Sequence, residues 1–138
     1  MATKIFVNLP VSDLKKSMTF FTALGYTFNP QFTDETAACM VISEDIYAML
    51  LTREKFQEFT PNAVCDAKTA TEVLICLSCE SRPDVDDLVK KAVAAGGATF
   101  KAPMDYGFMY AHSFQDLDGH IWELMYMDPS HVAAEPTA

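Results

Sequence analysis

The same order of predicted elements, one strand, one helix and three strands, occurs twice along this chain of 138 residues. Alternating apolar residues predict the strands, and apolar stripes at helical spacing predict the helices. Ser12 or Asp13 can cap the first helix and Ser81 the second. The first copy has its strands at residues 4–10, 26–33, 36–43 and 46–52, and the second at 71–79, 98–102, 110–115 and 120–127. This repeat predicts an internal duplication.

Aligning the two halves gives an α+β fold of two βαβββ modules. Phe6 falls on Leu74 at an offset of 68, whereas Leu51 falls on Glu123 at an offset of 72, about one extra helical turn. A single helix covers only one face of each sheet, so the other face needs a partner. Pairing the modules, within one chain or across a dimer, would bury that face around a cleft for a small molecule. The predicted boundaries are a first module at 1–52, a linker at 53–70, a second module at 71–128 and a disordered tail at 129–138.

Composition narrows the class of partner. A net charge of −9 disfavours nucleic acid, which proteins hold mainly through Lys and Arg, and it disfavours anionic membrane surfaces. No run of about twenty apolar residues predicts a membrane-spanning helix, and the amino terminus does not resemble a signal peptide, so a cytoplasmic location is expected. The four cysteines are predicted to be buried free thiols, which agrees with a cytoplasmic location: Cys39, Cys65, Cys76 and Cys79.

Two segments resemble signatures of a known family. Val11-Ser-Asp-Leu-Lys-Lys-Ser-Met-Thr-Phe-Phe-Thr-Ala-Leu-Gly25 is similar to the first-helix signature of the vicinal-oxygen-chelate superfamily, which contains glyoxalase I, bleomycin-resistance proteins and extradiol dioxygenases. Phe114-Gln-Asp-Leu-Asp-Gly-His-Ile-Trp-Glu-Leu124 resembles its closing signature. Residues 94–97, 105–110 and 118–123 most resemble a branch labelled predicted lactoylglutathione lyase. The resemblance implies a homodimer, with modules paired within a chain or swapped between chains.

The resemblance also implies four metal-ligand positions, each a His, Gln or Glu in metal-dependent members. They fall on Phe6, Leu74, Leu51 (Leu50 if the register slips by one) and Glu123. Three hydrocarbon side chains cannot replace the water around a divalent ion, so no metal or other cofactor is expected at the usual positions. A relocated metal site of Glu72, His112 and Glu123 remains the alternative.

Glu123 is the candidate catalytic residue, either as a general base or as an anchor for a cationic or hydroxylated ligand. The competing interpretation is a carboxylate hydrogen-bonded inside a closed core. Trp122 has the opposite parity and is expected to pack under a helix or at a dimer contact and not in the cleft. The candidate ligand-binding residues are mainly apolar or aromatic: Phe6, Asn8, Leu51, Leu74, Tyr106, Met109, Tyr110, His112 and Met125.

Three functions fit these residues. The first is a bleomycin-resistance-like protein that binds a small, partly apolar molecule without the full metal site. The second is a glyoxalase-I-like lyase or isomerase, or another enzyme of the superfamily, that uses Glu123 with a relocated metal. The third is a non-catalytic interaction module in which Phe6, Leu74 and Met125 fill a collapsed cleft.

Overall fold

A computed structural model describes residues 3–132, and the chain divides between Ala70 and Thr71 into two compact units. The first unit contains a four-stranded sheet and one long helix. Its elements are β1 (Ile5–Val11), α1 (Leu14–Ala23), β2 (Thr27–Asn29), a 3-10 turn (Pro30–Phe32), β3 (Ala37–Val41), β4 (Ile46–Thr52) and the short α2 (Arg53–Gln57). The sheet order is β1-β4-β3-β2, with β1 parallel to β4 and the other pairs antiparallel.

The second unit repeats this topology. Its elements are β5 (Leu74–Ser78), α3 (Arg82–Ala94), β6 (Met104–Asp105), β7 (Met109–Gln115), β8 (Ile121–Met127) and the short α4 (Pro129–Val132). The order β5-β8-β7-β6 has β5 parallel to β8 and antiparallel pairs elsewhere. The predicted α+β class with two βαβββ modules is therefore confirmed.

The two long helices begin and end in the same way. Asp13 accepts a hydrogen bond from the Lys16 amide at 3.1 Å, and Ser81 accepts one from the Asp84 amide at 3.2 Å. These caps satisfy amides that have no partner within the helix. Gly25 and Gly96 follow the helices with φ of 104° and 110°, a left-handed conformation that favours glycine.

Each sheet buries the face that carries its helix. In the first unit the core contains Phe20 and Phe21 of α1 against buried residues of the sheet, namely Leu9, Ala38, Met40, Ala48 and Leu50. In the second unit the core combines Val85, Val89 and Ala92 of α3 with Phe114, Trp122 and Leu124 of β7 and β8. Trp122 therefore lies on the helix side, as its parity predicts.

The predicted strand at 98–102 is wrong. Only Ala98 pairs with β7, through two hydrogen bonds to Gln115 of 3.0 and 2.7 Å. The edge strand β6 forms later, at Met104–Asp105, immediately after Pro103. Proline has no amide hydrogen to donate to a ladder, and it is compatible with a strand only at an edge or at a strand start.

The offset of 72 between the last strands is also wrong. Val41 pairs with Tyr47 in the first unit and Gln115 pairs with Ile121 in the second, so these hairpins align at an offset of 74. Part of the extra length is α3, which has 13 residues against 10 in α1. The counterpart of Glu123 is therefore Met49, while Leu51 corresponds to Met125 and Leu50 faces the helix.

The first four residues of the tail that was predicted to be disordered form a short helix. Asp128 accepts hydrogen bonds from the amide and hydroxyl of Ser130, at 3.0 and 2.8 Å, and α4 starts at Pro129, where proline suits a first helical turn. The expectation of disorder is thus wrong for residues 129–132, and residues 133–138 lie outside the described part. Buried cysteines were likewise predicted too broadly: Cys39 is buried, Cys79 is half-buried, and Cys65 and Cys76 are exposed.

Within residues 3–132 no helix has the length and apolar character needed to cross a membrane.

Candidate functional site

The face of the second sheet opposite α3 carries Glu123 at its centre. Glu123 lies on β8, with Cys76 of β5 on one side and Ser113 of β7 on the other. Successive residues of a strand point to opposite faces, so residues two positions away share the face with Glu123. The surface defined in this way, called the Glu123 face below, contains Leu74, Cys76, Ser78, Met104, Met109, Ala111, Ser113, Ile121, Glu123, Met125 and Met127.

The surroundings of Glu123 are apolar and rich in sulfur. Leu74 is 55% exposed, Ile121 and Met125 are half-buried, and Cys76 is exposed. Partial desolvation of the sulfur by the surrounding side chains, and then the negative charge of Glu123, raise the pKa of the Cys76 thiol. At neutral pH the thiol is therefore protonated and uncharged. Among the residues that form this face, Glu123 is the one with a carboxyl group, and none is Lys, Arg or His.

The matching face of the first sheet carries Phe6, Asn8 and Met49. The Phe6 ring is 49% exposed and stacks on Tyr47, with 4.8 Å between ring centroids. Asn8 donates a hydrogen bond to the Phe6 carbonyl at 3.1 Å. Leu51 has the expected parity but is only 2% exposed, so it is a buried residue and not an accessible ligand contact.

Tyr110 and His112 do not lie on the Glu123 face. His112 pairs with Leu124 on the helix side, and its Nε2 lies 3.3 Å from the Lys101 carbonyl oxygen. Tyr110 donates a hydrogen bond of 2.6 Å to Asp86 of α3, and this bond raises the pKa of the tyrosine. His112 instead lines an open surface pocket of about 380 Å³ with residues of α3.

The relocated metal site predicted from Glu72, His112 and Glu123 is not assembled. Glu72 is exposed and precedes β5, while His112 occupies the opposite face of the sheet from Glu123. Across residues 3–132, no group of three or more His, Cys, Asp or Glu side chains is placed to hold a metal ion. The positions that correspond to the family's metal ligands carry Phe6 and Met49 in the first unit and Leu74 and Glu123 in the second. One carboxylate and three side chains without a hard donor do not fit a divalent ion.

Arg82 and Phe108, neither of which the sequence analysis selected as a site residue, lie near the end of the Glu123 face. Arg82, at the start of α3, makes an ion pair of 2.8 Å with Asp105 and donates to the Gly107 carbonyl at 2.7 Å. These contacts hold the loop that carries Tyr106 and Phe108, both of which are exposed. A conformational role for Arg82 depends on contacts 23 and 25 residues away, which no local pattern reveals.

Known proteins resemble this chain in both sequence and fold. Residues 3–43 match the family model described as bleomycin resistance protein-like N-terminal. A hypothetical protein, SA1046, from S. aureus is 32% identical, with 91% of this chain and 95% of that chain covered and a TM-score of 0.77. No protein with a curated description matches.

Two further solved structures share the fold at lower identity. A glyoxalase-related enzyme from Fulvimarina pelagi is 20% identical, covers 91% of this chain and 88% of its own, and gives a TM-score of 0.76. A glyoxalase/bleomycin resistance protein/dioxygenase family enzyme from Burkholderia phytofirmans is 16% identical, covers 91% and 99%, and gives 0.75.

Proposed function

Because the chain belongs to the vicinal-oxygen-chelate superfamily, we propose that it is a glyoxalase/bleomycin-resistance-like protein that binds a small, partly apolar, positively charged molecule on the Glu123 face. The molecule's apolar body lies on leucine, isoleucine and methionine side chains, and its cationic group meets the carboxylate. Methionine side chains adapt to ligands of irregular shape.

The observation that carries this proposal is the state of the Glu123 carboxylate. It is half-buried between Cys76 and Ser113 on a face that is otherwise mainly apolar. No residue in the described part of the chain forms a hydrogen bond to this carboxylate. A carboxylate held against an apolar surface is stabilised by a cation or a donor that pairs with it. The net charge of −9 favours a cationic ligand, because opposite charge raises the rate of encounter.

Neither alternative function gains support of this kind. A glyoxalase-type reaction through a relocated metal needs His112 beside Glu123, and the two residues are on opposite faces. A collapsed interaction module needs Phe6 and Leu74 in its core, yet each is about half exposed.

Two three-ring probes of opposite charge test the proposal. Proflavine is a flat aromatic cation and 2-anthracenecarboxylate is an anion of similar size, and both are fluorescent. We expect the wild-type chain to bind proflavine more tightly than it binds 2-anthracenecarboxylate. Glu123→Gln should weaken proflavine binding by about tenfold, because a hydrogen bond to a charged group contributes about 1.5–3 kcal/mol, and should leave binding of the anion unchanged or stronger.

The matched control is Glu72→Gln, which removes the same charge from an exposed residue outside the sheet. Equal affinity of the wild type for both probes would contradict the proposal. The same loss in both variants would also contradict it, because the effect would then follow net charge and not the Glu123 face.

A further inference from the structure

Residues 105–108, called the loop below, run from the last residue of β6 to the start of β7 and are held by hydrogen bonds within the segment and to neighbouring strand ends. Asp105 accepts from the Gly107 amide at 2.9 Å, and the Tyr106 amide donates to the Met109 carbonyl at 2.8 Å. The Asp128 amide donates to the Phe108 carbonyl at 2.7 Å. Gly107 has a φ of 81°, which a residue with a Cβ adopts only with strain.

Arg82 fixes this loop from the helix side of the sheet. One guanidinium nitrogen contacts the Asp105 carboxylate at 2.8 Å, and the other donates to the Gly107 carbonyl at 2.7 Å. The guanidinium also lies 5.4 Å from the centroid of the Tyr110 ring, and Tyr110 is itself held by Asp86. The Gly107 amide and Arg82 lower the pKa of Asp105, so the carboxylate keeps its charge at neutral pH. A planar guanidinium makes these contacts together, and a lysine ammonium cannot.

The loop displays two aromatic rings. Tyr106 and Phe108 are 54% and 41% exposed, and their ring centroids are 6.4 Å apart. Exposed aromatic side chains on a rigid loop can bind a flat or cationic group with little loss of conformational entropy.

The loop continues the Glu123 face. Met104 and Met109, the residues on either side of it, belong to that face through their pairing with Ala111 and Met127. The Tyr106 hydroxyl lies 3.3 Å from the Met104 sulfur, so this side chain reaches back toward the same face. Arg82 lies behind the sheet and acts on the face only through the loop.

We propose that Tyr106 and Phe108 form the aromatic contact for the cationic ligand bound at Glu123, and that Arg82 is the positioning residue that holds them in place. The inference rests on the proposed function and names a flat aromatic cation as the ligand class. Neither Arg82 nor Phe108 has a role assigned by the family positions discussed above.

The proflavine affinity of an Arg82 variant tests the inference, because a charge effect and a positioning effect would change it in opposite directions. Arg82→Met removes a positive charge, so electrostatics alone would strengthen proflavine binding. Positioning predicts the reverse, a loss of about fivefold or more, because the aromatic pair is no longer held. Arg82→Lys keeps the charge and should lose affinity as well. Lys91→Met is the matched control: it removes a cation from the same helix that pairs with Asp87 and does not touch the loop.

Hydrogen exchange supplies a second readout. The Tyr106 and Gly107 amides should exchange faster in both Arg82 variants, with the amides of β7 and β8 unchanged. Phe108→Leu, a change of an exposed side chain, keeps the loop contacts and should weaken proflavine binding without faster exchange. This variant keeps the test decisive if an Arg82 variant is poorly folded.

The outcomes separate the two proposals. Wild-type protein that does not bind proflavine contradicts the proposed function and this inference together. Glu123-dependent binding that is unaffected by Arg82→Met and Phe108→Leu contradicts this inference alone. Tighter binding by Arg82→Met also contradicts it, because charge and not positioning would then be the role of Arg82.

Discussion

Asp116 closes the turn between β7 and β8 as a buried carboxylate. It accepts hydrogen bonds from the amides of Asp118 and His120 and from the indole nitrogen of Trp122, each at 3.0 Å. Burial raises the pKa of Asp116, whereas nearby His120 and these hydrogen bonds lower it. The three donors hold the start of β8, and with it the position of Glu123 three residues after His120.

Asp116→Ala should lower the free energy of unfolding by about 3 kcal/mol, because it leaves the buried indole N–H of Trp122 without its partner. Asp116→Asn, which keeps one acceptor oxygen, should cost less. Urea denaturation measures both values. Glu72→Ala, at an exposed position, should stay within about 0.5 kcal/mol of wild type. An equally small effect for Asp116→Ala would contradict the assigned role of the carboxylate.

The sheet face on which a residue lies could be predicted where the alternation along a single strand determines it. Glu123 and Trp122 follow from the alternation along β8, and the structure puts them on opposite faces. Predicting the position of His112 relative to Glu123 required the register between β7 and β8, which the hairpin sets. In that register Ser113, and not His112, pairs with Glu123. Leu51 shows a different limit, because parity gives its face but not its burial.

At the level of elements, α1 and α3 are capped equivalently at positions 68 residues apart. Asp13 and Ser81 each satisfy one amide of the first turn, and each helix is followed by a glycine with positive φ. The sequence predicted these helices well because caps and apolar stripes are local signals.

Asp13→Ala and Ser81→Ala should each lower the free energy of unfolding by about 1 kcal/mol, the usual effect of losing an N-cap side chain. Thermal and urea unfolding of both variants measure the loss. The control is Lys90→Ala, a substitution at an exposed position within α3. Ser12, next to Asp13, is not a suitable control position because it makes interactions of its own. An N-cap variant that matches Lys90→Ala in stability would contradict the capping role.

The edge strand β6 was the element that the sequence misplaced. Its two residues carry too short a pattern to detect, and its position depends on contacts distant in sequence. The ion pair between Arg82 and Asp105 and the pairing of Met104 with Ala111 define it. The same contacts define the loop that carries Tyr106 and Phe108, so the loop's role was hidden for the same reason.

For the molecule as a whole, the duplication was the strongest prediction. Both units have the same strand order and the same spacing in their last hairpins, and related structures with TM-scores of 0.75–0.77 share the fold. Function follows less directly from a fold that hosts many activities. In this chain the functional argument depends on how the Glu123 face differs from a metal site.

The most direct test of the central claim is the pattern of NMR chemical-shift changes in methyl-labelled protein as proflavine is added. An aromatic ligand shifts the methyl groups that it touches. We predict large shifts for Leu74, Ile121 and Met125 on the Glu123 face, and small ones for Val85, Val89 and Leu124 on the opposite side of the sheet. Shifts confined to the methyl groups near α3, or no shifts at saturating proflavine, would contradict the account.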